Sequence, residues 1–126
     1  MGQKVKPSRI LVVEDAFLIG MDLKISLEQM GYHVLGPAPS SSRAMSLLQR
    51  EHCDGAILDV NLGRETSESV ADYLVDQKIP FFFLTGYNNL NISDPLLQSK
   101  PLYHKPMNRE ALAEAIRRHI DQSAAA

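Results

Sequence analysis

Three stretches of this chain share one form. RILVVED (9–15), GAILDV (55–60) and FFFLTGY (81–87) are short apolar runs that break at an acid or a hydroxyl. They lack the polar alternation of a half-exposed strand and are far too short to cross a membrane, so they read as strands buried on both faces. Strands of that kind belong to parallel sheets, whose crossover connections lay helices over both sides. A run of three phenylalanines can be accommodated nowhere else so simply.

The segments between these runs carry the helical period. Ile19, Leu23, Leu27 and Met30 fall on one face, and Gly31 is placed to stop that helix. YHVLG (32–36) reads as a second strand closed by Gly36-Pro37, and the serines at 40–42 can cap a helix striped by Ala44, Leu47 and Leu48. Val70, Tyr73 and Leu74 mark a third helix, starting near Thr66 or Ser67 and ending before Pro80. NNLNISDPLLQS (88–99) has little periodicity and contains Pro95, which predicts a loop or a very short helix. PLYHKP (101–106) allows a fifth strand, and Asn108 can cap a last helix carrying Leu112, Ala115, Ile116 and His119 on one face. Alternating strands and helices make this an α/β domain. We expect one domain over residues 1–126, with its core at about 8–121.

Composition narrows the function. A net charge of −2 gives no basic field for nucleic acid or an anionic membrane, so neither is expected as a partner. The basic residues near the end, Arg109, Arg117, Arg118 and His119, read as a solvated helix face. A single cysteine, Cys53, permits no internal disulfide and reads as a small buried hydrophobe. No secretory leader is visible in MGQKVKPSR, and the expected location is the cytoplasm.

In open α/β sheets, ligands bind outside the carboxyl ends of the strands. The residues at those ends are Glu14-Asp15, Asp59, Thr85-Gly86 and Lys105-Pro106. Carboxylates brought together repel unless a cation sits among them. Oxygen ligands without His or Cys suit Mg²⁺, which binds through a few carboxylates together with a phosphate. A carboxylate can also act as a nucleophile toward phosphorus, and that transfer needs chiefly positioning and neutralisation of the phosphoryl oxygens. Lys105 and the Thr85 hydroxyl could meet two of those oxygens, with Gly86 leaving the backbone room. The set reads as an aspartate phosphorylation site. Each residue alone has an ordinary explanation as a cap, a turn or a strand exit; the coincidence at successive strand ends is what carries the reading.

These residues resemble the receiver domain of two-component response regulators over about residues 8–121, through VVED (12–15), ILDVNL (57–62), FLTGY (83–87) and HKP (104–106). The resemblance implies a (βα)5 flavodoxin-like three-layer sandwich with strand order 2-1-3-4-5. It implies Asp59 as phosphoacceptor and Mg²⁺ as cofactor. Asp15 would be a direct ligand, Glu14 would act partly through water, and Asp59 and the backbone carbonyl of Asn61 would complete the metal site. Thr85 would be the switch hydroxyl, Lys105 the phosphate-binding lysine, and the Lys105–Pro106 bond cis. Three departures stand out. Gly63 and Ser67 occupy positions where the family commonly has proline and glycine. Leu102 stands where an aromatic switch residue is usual, while Tyr103 should point to the opposite face. The poorly written fourth helix, together with FLTGY, is similar to a subgroup of receivers with an F-A-T-G-Y-like stretch, in which that helix is short or absent.

The implied function is a single-domain switch that takes a phosphoryl group from a histidine kinase or histidine phosphotransfer protein and signals to a further protein. It is no enzyme beyond promoting its own Mg²⁺-dependent phosphorylation and dephosphorylation. A phosphorelay shuttle or sink, or a receiver excised from a hybrid kinase, shares the same chemistry. An aspartyl phosphohydrolase would need a second carboxylate where Asn61 stands. Tyr87 and Tyr103 are candidate output residues. Leu90, Ile92, Leu96 and Leu97 are expected either to present a partner surface or to lid the core.

Overall fold

The structure is a computed structural model and describes residues 8–86 and 95–121. Its elements are β1 (Arg9–Val13), α1 (Phe17–Gln29), β2 (His33–Ala38), α2 (Ser41–Arg50), β3 (Gly55–Leu58), a hairpin of β4 (Asn61–Leu62) and β5 (Glu65–Thr66), α3 (Glu68–Asp76), β6 (Phe81–Thr85), α4 (Pro95–Gln98), β7 (Leu102–His104) and α5 (Arg109–His119). The main sheet is parallel, in the order β2-β1-β3-β6-β7. Setting the hairpin aside, that is the expected 2-1-3-4-5 order of a flavodoxin-like sandwich.

Alternation along β6 shows why the phenylalanine run is tolerated. Phe81 and Phe83 enter one core with Ala44, Leu48, Val70 and Leu74 from α2 and α3. Phe82 and Leu84 enter the other with Leu23 and Leu27 of α1 and Leu112, Ala115 and Ile116 of α5. Successive side chains of a strand leave opposite faces, so a strand with a helix layer on each side wants apolar residues throughout.

Close packing is most severe at Gly55, the first residue of β3. A Cβ there would lie 2.3 Å from Ile120 Cγ2, with Ile120 Cγ1 and Cβ at 3.1 and 3.2 Å. Ile120 is buried and stiff at χ1, so the whole side chain must move. Gly55→Ala is expected to cost about 1–3 kcal/mol, read as a lower urea midpoint with an unchanged m value. No loss of stability would show that the end of α5 yields freely.

Several boundaries differ from the sequence reading. β2 does not stop at Gly36 but continues to Ala38 through a cis Gly36–Pro37 bond, with an irregular register against β1 between Leu11 and Val13. Gly36 has φ +93°, and a Cβ there would meet Ala38 N at 2.5 Å, which explains the glycine. The hairpin was not foreseen. Its turn places Gly63 at φ +70° before Arg64, which suits a Gly-first two-residue loop. Ile19 is exposed rather than on the buried face of α1, alongside Phe17 and Leu18 at 74% and 79% exposure. The helix expected to be short or absent is α4, four residues long, and Leu97 is fully buried, so it lids the core. Leu90 and Ile92 lie outside the described residues.

Tyr103 faces the α5 side, as alternation requires. Its ring packs edge-on to Phe82 at 5.2 Å between centroids, and its hydroxyl lies 2.8 Å from His119 Nε2. Leu102 packs against the opposite core. His119 is therefore a packing residue, not simply part of a solvated basic face. Burial, and then the neighbouring Arg118, push its pKa below the ordinary value of 6.5. The unfolded chain thus takes up a proton before the folded one does, and stability falls as pH drops from 6.5 toward the lower folded value. His119→Gln should flatten that part of a urea-midpoint profile; an unchanged slope would exclude the imidazole as its source.

Candidate functional site

Topology brings the polar strand ends together. β1 and β3 are neighbours, β3 pairs with β6, and β6 with β7. The loops that leave these strands at their carboxyl ends therefore open on one crevice, a cleft of about 500 Å³. Glu14, Asp15, Asp59, Asn61, Gly63, Gly86 and Lys105 line it, with Ala16 and Ile19 of the α1 entrance.

Its geometry is that of an anion cluster held by one cation. Glu14 and Asp59 are buried, at 3% and 5% exposure, whereas Asp15 is exposed. Lys105 Nζ donates to Glu14 Oε1 at 2.5 Å and to Asp59 Oδ2 at 3.1 Å. Asp59 Oδ1 also accepts the backbone N–H of Asn61 at 3.3 Å, and Glu14 Oε2 that of Ala16 at 3.1 Å. Burial raises the Glu14 carboxyl above the ordinary value, against the lowering effect of Lys105. Burial alone would lower Lys105, but its bonds to Glu14 and Asp59 outweigh that and leave it raised. The ammonium is therefore charged at neutral pH.

One ammonium does not neutralise three carboxylates. Oxygens of Glu14, Asp15 and Asp59 lie within 4.8 Å of one another, the donor type and spacing a hard divalent cation takes. The residues present fit Mg²⁺. Asp15 is the exposed member, and Lys105 already occupies one oxygen each of the other two.

The Lys105–Pro106 bond is cis, and the Lys105 N–H donates to the Thr85 carbonyl at 2.8 Å, which ties β7's exit to the end of β6. Thr85 is fully buried and does not line the cleft. Gly86 is not demanded by present packing, since a Cβ there would meet only Lys105 Cδ at 3.8 Å. Tyr87 lies outside the described residues, and Tyr103 sits away from the cleft under α5. Sequence reasoning missed Gly63 as a lining residue. The adjacent Gly-Arg dipeptide flanked by Asn-Leu and Glu-Thr was the available hairpin signal.

A parallel α/β sheet with this acidic, lysine-bridged crevice at its carboxyl edge defines a phosphorylation-type signalling domain. The chain belongs to the response regulator receiver domain family, whose model matches residues 10–117. Receiver domains are signalling modules of two-component systems, generally without an output enzymatic activity of their own. They are phosphorylated by histidine kinases or phosphotransfer proteins and typically bind Mg²⁺.

Among curated relatives, the transcriptional regulatory protein PdtaR of Mycobacterium tuberculosis is 31% identical over 87 residues, covering 68% of this chain and 42% of that protein. The phyllosphere-induced regulator PhyR of Methylorubrum extorquens is 34% identical over 83 residues, covering 64% and 31%. The chain thus aligns with less than half the length of either relative. Among solved structures, SdrG from Sphingomonas melonis Fr1 superposes with a TM-score of 0.77 at 34% identity, over 90% of this chain and 96% of that one. A CheY-like receiver domain protein from Methanospirillum hungatei matches with a TM-score of 0.77 at 25% identity, over 89% and 92%. No helix among the described residues is long and apolar enough to cross a membrane.

Proposed function

We propose that Asp59 is the phosphoacceptor and that the chain is a switch working through protein contacts. The observation that carries this is the bridge of Lys105 between Glu14 and Asp59 inside the acidic cleft. An Asp59 oxygen attacks phosphorus, the bond from phosphorus to the donor's imidazole nitrogen breaks, and the imidazole leaves with that electron pair. The phosphoryl group brings about two negative charges where the carboxylate carried one, and this net gain of about one charge in the cleft draws on Lys105, which must redistribute its bonds between Glu14 and the phosphoryl oxygens. Asp15, Asp59, the Asn61 carbonyl and Glu14 would hold Mg²⁺. When bound, the ion supplies charge neutralisation that the single ammonium lacks. Thr85 supplies the hydroxyl for a phosphoryl oxygen once the chain adjusts around it.

The donor protein would meet the apolar rim of the cleft. Phe17 and Leu18 are largely exposed, and Ile19 lines both the acidic cleft and a groove formed with Leu23, Leu84 and Met107. We also assign the chain to the receivers with an F-A-T-G-Y-like stretch, on the support of FLTGY and the four-residue α4. With Leu102 in the aromatic position and Tyr103 bound to His119, output by a threonine–aromatic rotation is disfavoured. Intact-mass measurement after incubation with a small acyl-phosphate donor and Mg²⁺ tests the reading: one phosphoryl adduct is expected, and its absence would overturn it.

A further inference from the structure

The sheet has a second recess, at the end away from Asp59. A cleft of about 310 Å³ lies where β6 and β7 begin, formed by the end of α3 (Leu74, Val75, Lys78, Ile79), Pro80-Phe81, and Lys100-Pro101, with His119 from α5. The register Ala56↔Phe81 and Leu58↔Phe83 sets Phe81 at the opposite end of the strands from the acidic crevice. Its lining is mostly apolar, and its charged members are both lysines.

Neither lysine is balanced: no carboxylate among the described residues pairs with Lys78 or with Lys100, although Lys100 is half-buried. Lys78 is also the only non-glycine described residue with positive φ, at 59°. That position just past α3 is where glycine is favoured, and a lysine there stores a cost of about 1 kcal/mol. Each lysine follows a helix end and could offset that helix's dipole. Dipole compensation accounts for either one separately. It does not account for two cations facing one apolar recess, nor for the choice of lysine where glycine would relieve strain.

The geometry points to a docking site for an acidic peptide segment of a partner protein, one bulky apolar side chain entering the recess and flanking carboxylates meeting Lys78 and Lys100. The volume decides against a larger ligand. It sits at the bottom of the range of sites that enclose whole cofactors or drug-sized molecules, and suits one side chain with its backbone. Charge complementarity selects the acidic flanks and gives specificity more than raw affinity. Docking here does not require Asp59 to carry phosphate.

The test uses the full chain, isotope-labelled, and a capped heptapeptide with a central phenylalanine flanked by aspartates and glutamates. Amide shifts are expected at residues 74–79, 81, 100 and 119, unchanged in Asp59→Asn. Replacing the peptide's acids by lysines should weaken binding at least about tenfold, as should Lys78→Glu with Lys100→Glu. Lys78→Gly with Lys100→Gln removes both charges while relieving the left-handed backbone, so it should bind at least about tenfold more weakly although its Lys78→Gly change is expected to stabilise the fold. A purely structural role for the lysines would not weaken binding. No shifts at this end with millimolar peptide, equal binding of the lysine peptide, or full binding by the neutral double variant would each overturn the proposal.

Discussion

Asp59→Asn should abolish the phosphoryl adduct expected of the parent chain with a small acyl-phosphate donor and Mg²⁺, and chelation of the ion should suppress it in the parent. The expected effect is near-complete because the proposed acceptor is a single carboxylate. Asp59 is the buried carboxylate held by both Lys105 Nζ and the Asn61 N–H. Asparagine keeps the shape and the hydrogen-bonding reach but is a far poorer nucleophile toward phosphorus. Asp15 is exposed and bears no such bonds among those described around Lys105, so it should not substitute. An adduct of equal yield in Asp59→Asn would reject the acceptor assignment. Lys105→Ala separates positioning from acceptance. It should still gain some phosphate, because the nucleophile remains, but show a weaker phosphorylation-induced change in amide shifts; a full response would contradict the lysine's role.

Phe82→Ala should be among the most damaging single truncations in the chain, costing about 3–5 kcal/mol, a large part of the 5–15 kcal/mol typical of a domain. Phe82 is fully buried on the α1/α5 side, against Tyr103 edge-on and within 6.1 Å of the His119 ring. Removing it leaves a void walled by a strand on one side and helices on the other, neither of which can close without dragging β7 or α5. The melting midpoint should fall by roughly 10–20 °C. Leu18→Ala is the matched control: Leu18 is 79% exposed, and its loss should lie within about ±0.5 kcal/mol. Comparable losses from both would mean that burial in β6 is not what holds the two layers together.

The contrast between these side chains shows what was legible before the fold. An apolar run without alternation is a physical statement that both faces are dry, so RILVV, GAIL and FFFLT could be recognised as central parallel strands. Their polar exits could be read as candidate site residues because sheets of this kind open at carboxyl ends, and of these exits Glu14, Asp15, Asp59 and Gly86 line the cleft while Thr85 does not. The helical period was a weaker guide at α1. Ile19 has the correct spacing for burial, but it sits in the first turn, at the mouth of the cleft, and is 39% exposed. The hairpin after Asp59 was hidden for another reason. Two-residue strands are too short to carry a period, so only the Gly63 turn could have signalled them.

By itself, the sequence determined that the fold is a parallel α/β sandwich, which residues stand at its carboxyl edge, and that Tyr103 and Leu102 leave opposite faces of their strand. These follow from one-dimensional rules: period, strand ends and alternation. The tertiary structure alone decided which charges meet. That Lys105 reaches Glu14 across 91 residues and Asp59 across 46, that Tyr103 closes on His119, and that Lys78 and Lys100 border one apolar recess depend on strand order and helix packing. Such contacts are fixed by chain crossovers, and no local pattern in the sequence encodes their distances.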